Sequence, residues 1–363
     1  MTRDWGKPLF ILEMANNHMG DVEHGRRIIH AFAEVVKGFP FEFAFKLQYR
    51  NLDTFIHPDF KNRADVKFVK RFSETRLRED DFQSLKLEME QHGFRTMCTP
   101  FDEASVDLVL RHRFDFLKIG SCSFTDWPLL ERIAAIDLPI VASTAGASLQ
   151  ELDRVVSFFE HRKKDLTLMH CVGSYPTPLA DLQLNQIDLL RDRYPLMRIG
   201  FSTHEPPADH EIVLAAIAKG ATVFERHVAL ATEQYAPNAY SSTPEQFRGW
   251  LQSAQKGFMI CGVADARFAG TPEAMAQLAD LQRGVFASRK LQPGTRLQPS
   301  DYFLAIPASK GQLVANDLSK YHFFTPTQVI EANAHLLNVT LTQEVHEPLV
   351  LAFMRDVWKH LIQ

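Results

Sequence analysis

Over roughly the first two thirds of the chain, two hydrophobic patterns alternate. Short apolar runs rich in β-branched and aromatic residues are followed by longer segments with apolar residues at helical spacing. The strand-like runs are FILEMAN (10–16), EFAFKLQ (42–48), FRTMCTP (94–100), FDFLKIGS (114–121), LPIVAST (138–144), LTLMHCV (166–172), MRIGFSTH (197–204) and TVFERHV (222–228). Strand followed by helix, repeated eight times, predicts a (β/α)8 TIM barrel of the α/β class. A doubly wound open sheet is the alternative, disfavoured because no Gly-x-Gly-x-x-Gly follows a strand.

The period of a strand predicts which side chains face the inside of such a barrel. Active sites of this fold lie at the C-terminal ends of the strands. In strand order, the predicted inward residues are Ile11, Glu13, Ala15, Asn17; Ala44, Lys46, Gln48; Met97, Thr99; Phe116, Lys118, Gly120; Val141, Ser143; Leu168, His170; Gly200, Ser202, His204; and Glu225, His227. Each strand thereby brings a polar or charged group toward the mouth. Arg226 is predicted to face outward and to pair with a helix carboxylate.

Two histidines at the ends of adjacent strands are the candidate metal ligands. Neutral imidazoles of His204 and His227 suit a divalent transition metal with open positions. The alternative is that each ring forms hydrogen bonds within the core. Glu13 and Glu225 are candidate proton-transfer or outer carboxylates, or else structural partners of Lys46 or Lys118.

Cationic and hydroxyl groups at the strand ends form a candidate anion site. This ring suits a small substrate that carries phosphate and carboxylate groups. Its members are Lys46, Thr99, Lys118, Ser121, Ser143 and Ser202. Cys98, Cys122 and Cys171 are interpreted as small buried residues rather than nucleophiles. The charged run 67–81 is interpreted as a solvent-exposed face, with phosphate contact as the less favoured alternative.

Composition narrows the class of protein. The 363 residues are 45% hydrophobic and 23% charged, with a net charge of −4, which is typical of a globular protein and argues against a nucleic-acid partner. No apolar run reaches the length of a membrane span, and a secretory signal is not expected. The four cysteines show no Cys-x-x-Cys spacing, which favours a reducing, cytoplasmic location. The predicted domains are a barrel (1–262), a linker (263–282), a small β-rich domain (283–345) and a C-terminal helix (346–363).

Ordered motifs along the barrel resemble the sialic acid synthase (N-acetylneuraminate synthase) family. These motifs are LEMANNHMGD, FKLQ, CTPFDEASVD, LKIGS, VAST, LMHCVGSYPTP, GFSTHE and FERHVAL. Members of that family condense phosphoenolpyruvate with an N-acetylated aminosugar to give a nine-carbon 2-keto acid. The segment VFASRKLQPGTRLQPSDY resembles, more loosely, the small antifreeze-like (SAF) domain of the same family.

The resemblance implies roles for the candidate residues. His204 and His227 would bind the metal, usually Mn²⁺, with Mg²⁺ or Co²⁺ as alternatives. Glu13, Glu225 and Asn238 would be catalytic, with Glu13 near the sugar aldehyde. C3 of phosphoenolpyruvate would attack the aldehyde, water would add at C2, and phosphate would leave. The remaining substrate-binding residues would be Asn17, Lys46, Thr99, Lys118, Ser121, Ser143, Tyr175 and Ser202. The resemblance also implies a homodimer that serves surface or coat polysaccharide synthesis.

Departures from the family pattern fall on the sugar side of the site. Asn238 stands where an Asp is usual, and an amide cannot take a proton as a carboxylate can. The other departures are Ser123, Gly173, Thr203 and Ile306. Besides a synthase for a different aminosugar, two alternatives stay open. One is another phosphoenolpyruvate–aldose condensing barrel, and the other is a non-catalytic paralogue that binds a sugar acid.

Overall fold

A computed structural model describes residues 6–61, 63–263, 266–346 and 348–361. The described residues form two compact units, 6–263 and 266–361. The ends of the first and last predicted segments, 1–5 and 362–363, lie outside the described residues.

The first unit contains a closed barrel of eight parallel strands in sequential order, which confirms the predicted fold class. The first strand, Leu9–Glu13, and the last, Val223–His227, close the ring, with Glu13 opposite His227 in the register. The two inward positions at the ends of neighbouring strands are therefore side by side. The strands are β1 Leu9–Glu13, β2 Glu42–Tyr49, β3 Arg95–Pro100, β4 Phe116–Ile119, β5 Ile140–Ser143, β6 Leu166–Cys171, β7 Arg198–Thr203 and β8 Val223–His227.

Helices surround the barrel, and most of them bury one face. The first helix begins where the Asp21 carboxylate accepts hydrogen bonds from the next turn, and its face with Ile28, Ile29 and Phe32 is buried. Ser148 and Glu151 form a capping box at the start of another helix. The helices of this unit are α1 Val22–Val36, α2 Leu52–Phe55, α3 Lys67–Glu74, α4 Glu79–Gln91, α5 Glu103–Arg111, α6 Trp127–Ala134, α7 Leu149–His161, α8 Asn185–Arg193, α9 Ile212–Ala218 and α10 Pro244–Cys261.

Two separate apolar clusters show which side of each strand faces inward. One cluster lies between strands and helices, and it includes a stack of Phe10 on Phe224 with ring centroids 4.9 Å apart. The other fills the lower interior of the barrel. It consists of Leu9, Ile11, Ala44, Met97, Phe116, Val141, Met169 and Val223. A Cβ at Gly200 would lie 2.5 Å from the Val223 carbonyl oxygen, so only glycine fits there.

The predicted alternation is wrong for β6 and for the end of β1. Met169 lies in the interior cluster and Leu168 in the outer one, so Cys171 faces inward instead of His170. The His170 ring faces outward, where Nε2 lies 2.7 Å from the Leu182 carbonyl oxygen. A shift of one residue reverses every side chain of a strand. Strand β1 ends at Glu13, and Ala15 has a φ of 47°, so the predicted strand over 10–16 is too long.

The second unit is β-rich, as predicted. Two antiparallel strand pairs, Gly284–Ala287 with Tyr302–Ala305 and His322–Pro326 with Leu341–Val345, surround a small core. This core contains Val285, Leu313 and Phe324. Its elements are α11 Pro272–Asp280, β9 Gly284–Ala287, β10 Tyr302–Ala305, β11 His322–Pro326, β12 Leu341–Val345 and α12 Leu349–Leu361. Among the described residues, no helix combines the length and the apolar character that crossing a membrane requires.

Candidate active site

Four charged side chains form a buried network at the mouth of the barrel. Lys46 Nζ lies 2.7 Å from Glu13 Oε2 and 2.8 Å from Glu225 Oε1. Lys118 Nζ lies 3.7 Å from the other oxygen of Glu225 and donates a short hydrogen bond to Ser143 Oγ. None of the four charged side chains is more than 5% exposed. The negative charges of the two carboxylates cancel the positive charges of the two ammonium groups. Each buried charge therefore has a partner, which offsets the free-energy cost of its burial.

Electrostatics within the network keep Glu225 ionised. Burial opposes its ionisation, but Lys118 and Lys46 outweigh that effect and lower the pKa of Glu225 to about 2. Burial also opposes the charged form of Lys46, yet the adjacent Glu13 and Glu225 raise its pKa. The pKa of Lys118 is lowered by burial, which Glu225 offsets only in part. Of the two cations, Lys118 therefore loses its proton more readily.

Predicted hydroxyl groups line the same space. Ser202 Oγ donates to Glu225 Oε1 at 3.3 Å, and Ser121 Oγ accepts from the Ala145 amide at 3.2 Å. The Cys171 thiol lies against Ser121 and Ser202, and burial raises its pKa. Thr99 Oγ1 is buried without a hydrogen-bond partner among the described residues. A buried hydroxyl without a partner is a position that a ligand oxygen would satisfy.

The rings of His204 and His227 are neighbours beside the network, with centroids 5.4 Å apart and planes tilted by 48° to each other. Nδ1 of His204 lies 3.1 Å from the Val172 carbonyl oxygen. Because a carbonyl only accepts, Nδ1 carries the proton and Nε2 the lone pair. Neither His204 Nε2 nor the ring nitrogens of His227 make a hydrogen bond to the described residues.

The histidine pair fits a divalent cation. Burial and the neighbouring His227 lower the pKa of His204 to about 3, and burial lowers that of His227 to about 3, so both rings are neutral at physiological pH. Neutral imidazoles with free lone pairs are metal ligands. Among the described residues, the one cluster of three potential ligands is His30, Glu88 and His92. These lie in α1 and at the C-terminal end of α4, on the outside of the barrel.

A buried ion pair connects the segments behind the two histidines. Arg226 Nη1 lies 2.9 Å from Glu205 Oε1, and both side chains are at most 1% exposed. Arg226 Nε donates to Ser242 Oγ at 2.7 Å. The partner carboxylate lies in the loop after β7 and not in a helix, which corrects the prediction. Since Glu205 follows His204 and Arg226 precedes His227, the pair fixes both backbones next to the imidazoles.

Asn17 and Asn238 meet above the mouth. Asn238 Nδ2 donates to Asn17 Oδ1 at 3.3 Å, and Asn17 Nδ2 donates to the Val228 carbonyl oxygen at 2.8 Å. Asn238 Oδ1 accepts the amides of Tyr240 and Ser241 at 3.1 and 2.9 Å. The carboxamide of Asn238 therefore holds the loop after β8 in place.

Aromatic residues cover the histidine pair. The predicted residue Tyr175 lies 4.2 Å from the His204 ring, measured between ring centroids. Tyr240, which was not among the predicted residues, lies 5.1 Å from the His227 ring by the same measure. Gln48 was predicted to face inward without a role, and its Nε2 donates to Glu13 Oε2 at 3.4 Å. Tyr240 could not be found from strand alternation because it lies in a loop.

Fold and site together define a (β/α)8-barrel protein with lysines, carboxylates and a histidine pair at its C-terminal mouth. The family model of the NeuB family matches residues 43–265. The chain belongs to the NeuB family, which confirms the resemblance to sialic acid synthases.

Relatives span several sugar acids. One similar crystal structure is that of a protein from Chromobacterium violaceum ATCC 12472 assigned as spore coat polysaccharide biosynthesis protein E, which is 53% identical to this chain. The match has a TM-score of 0.91 and covers 93% of this chain and 100% of that chain. The N-acetylneuraminate-9-phosphate synthase of Drosophila melanogaster is 29% identical over 85% of this chain and 88% of its own length. The N,N'-diacetyllegionaminic acid synthase of Legionella pneumophila is 26% identical over 80% and 87% respectively.

Proposed function

We propose that the protein condenses phosphoenolpyruvate with an aminosugar, N-acetylmannosamine or a related aldose, to form a nine-carbon 2-keto sugar acid for surface or coat polysaccharide synthesis. The observation that carries this proposal is the buried pair of lysines next to two neutral imidazoles with free nitrogens. The names of the two synthases among the relatives support it. A cytoplasmic location, Mn²⁺ as the metal and a homodimer remain predictions.

The anion site would hold phosphoenolpyruvate. Lys118, Ser143 and Thr99 offer donors to phosphate or carboxylate oxygens. Lys46 is already shared by two carboxylates, so its main effect is to fix Glu13 and Glu225 in position. Because the four charges of the network cancel, the network alone gives little net attraction for a dianion.

His204 and His227 would hold the divalent cation. When bound, such a cation supplies a Lewis acid for a carbonyl oxygen and the positive charge that the network lacks. Aldose binding next to it would place the aldehyde between the histidines and Glu13. Tyr175 and Tyr240 would pack against the sugar.

The reaction balances as phosphoenolpyruvate, aldose and water giving the 2-keto acid and phosphate. C3 of phosphoenolpyruvate forms the new bond to the aldehyde carbon, whose oxygen takes a proton. Water adds at C2 and loses a proton, and the C2–O bond breaks as phosphate leaves. Asn238 cannot accept that proton, and its oxygen already receives two backbone amides. Glu13 is the carboxylate that we assign to proton transfer.

The test is product analysis with the full chain, Mn²⁺, phosphoenolpyruvate and a panel of N-acetylated aminosugars in ¹⁸O-water. We expect an aldose-dependent 2-keto acid that gains one ¹⁸O, together with phosphate free of the label. Label in the phosphate would show P–O cleavage and contradict the mechanism. Absence of product with every sugar, alongside phosphoenolpyruvate binding, would instead support a non-catalytic sugar-acid binding paralogue, the alternative that Asn238 favours.

A further inference from the structure

A cavity of about 440 Å³ lies at the C-terminal end of β2, where side chains of α4 and α5 also line it. Gln48, which continues the inward series of Ala44 and Lys46 in β2, lines it, and so does Arg50, the residue that follows the strand. Arg50 Nη2 donates to Gln48 Oε1 at 3.0 Å, and Gln48 Nε2 donates to Glu13 Oε2 at 3.4 Å. Within this wall, Gln48 is therefore one hydrogen bond away from the proposed proton-transfer group Glu13, and Arg50 is two.

Two aromatic rings hold the Arg50 guanidinium in a fixed orientation. Its central carbon lies 3.7 Å from the ring centroid of Phe101 and 4.1 Å from that of Phe72. Arginine stacks on aromatic faces in this way while the edges of its planar fork stay available for hydrogen bonds. Nε of Arg50 is buried and has no partner among the described residues.

Arg50 also differs from its neighbours in charge pairing. Arg76 lines the same cavity, and its two terminal nitrogens lie 3.0 and 2.9 Å from the two oxygens of Asp53. Arg50 has no ion pair within the part of the chain that the structure describes. Burial lowers the pKa of Arg50 to about 10, so the group is still a cation at neutral pH. A largely buried cation with an unbonded N–H costs free energy unless a ligand pairs with it.

We infer that Arg50 is a specificity-determining residue that binds a phosphate group carried by the aldose, at the end of the sugar remote from the aldehyde. This inference rests on the proposed function and adds the substrate class. A phosphate oxyanion in the cavity would satisfy Nε and match the guanidinium fork. Gln48 would separate this anion from Glu13, so the aldehyde and the phosphate would occupy different ends of one elongated site.

The test compares N-acetylmannosamine with N-acetylmannosamine 6-phosphate as ligands of the full chain. Calorimetry with Mn²⁺ but without phosphoenolpyruvate measures binding in the absence of turnover, and phosphate release with phosphoenolpyruvate measures kcat/KM. We expect the wild type to prefer the phosphorylated sugar, and Arg50→Gln to reduce that preference about tenfold or more in both assays. Arg50→Lys keeps the charge but not the fork and should restore only part of it. Arg76→Gln, in the same cavity but paired with Asp53, is the matched control and should keep the preference.

Three outcomes would overturn the inference. These are equal affinity of the wild type for both sugars, an unchanged preference in Arg50→Gln, and a loss of phosphoenolpyruvate affinity in Arg50→Gln with the sugar preference intact. The last result would assign Arg50 to phosphoenolpyruvate. If no sugar is turned over, the proposed reaction fails, yet the calorimetric comparison still decides whether Arg50 binds the sugar phosphate.

Discussion

Replacing Lys46 with methionine removes the cation that two buried carboxylates share. Lys46 Nζ lies 2.7 Å from Glu13 and 2.8 Å from Glu225, with the three side chains 2–5% exposed. Removing one member of a buried ion pair costs about 3–5 kcal/mol, because it leaves a charge without a partner. Lys118 contacts one of these carboxylates, at 3.7 Å, so Glu13 loses its cation. We therefore expect Lys46→Met to cost about 4–5 kcal/mol, the upper part of that range.

Urea unfolding of the full chain at pH 7, followed by circular dichroism, measures this free energy for the barrel transition. Lys37→Met is the matched control, because Lys37 pairs with Glu34 at 2.5 Å on the surface, where the two side chains are 68% and 66% exposed. This variant should leave the transition nearly unchanged. The double variant Lys46→Met/Glu225→Gln restores the charge balance and should lose less than the sum of the single variants. A Lys46→Met protein within about 1 kcal/mol of wild type, or strict additivity, would refute the reasoning.

The remaining predictions concern the histidine pair and the barrel interior. Arg226→Lys should weaken Mn²⁺ binding about tenfold or more, because lysine cannot reproduce the contacts of Arg226 with Glu205 and Ser242. Calorimetry in a His30→Ala background, which removes the surface cluster, measures this affinity. An unchanged affinity would contradict the positioning role. Chelation of divalent metal should lower phosphoenolpyruvate affinity about tenfold or more, since the network has no net charge, and equal affinity with and without chelator would refute this. Gly200→Ala should destabilise the barrel by about 1–3 kcal/mol in urea unfolding, because its Cβ would meet the Val223 carbonyl at 2.5 Å; a neutral substitution would contradict the packing.

Alternation along the strands correctly predicted which side chains of most strands face the barrel interior. Glu13, Lys46, Lys118, Ser202 and Glu225 meet in one hydrogen-bonded network because inward positions of neighbouring strands share one interior. The prediction failed in β6, where Leu168 and Met169 are both apolar and the pattern does not distinguish the two faces. Side-chain period alone cannot decide between two such registers.

Contacts made by loop residues could not be predicted from the hydrophobic pattern of the sequence. The carboxylate that pairs with Arg226 comes from the segment after β7, and a helix was predicted to supply it. A role for Arg50 could not be predicted from the sequence, because it depends on the packing of Phe72, in α3, against the Arg50 guanidinium. The run 67–81 was interpreted as an exposed face, yet Phe72, Arg76 and Arg78 line a cavity. Local periodicity gives no information on where an inserted loop packs.

The central claim is that the histidine pair and the lysine network act on one substrate pair at the barrel mouth. The most direct test is the rate of phosphate release from phosphoenolpyruvate by wild type and His204→Ala, each with Mn²⁺ and with or without an N-acetylated aminosugar. We predict release that requires the sugar in the wild type and falls at least about a hundredfold in His204→Ala, with circular dichroism unchanged. Sugar-dependent release at the same rate in both proteins would contradict the account.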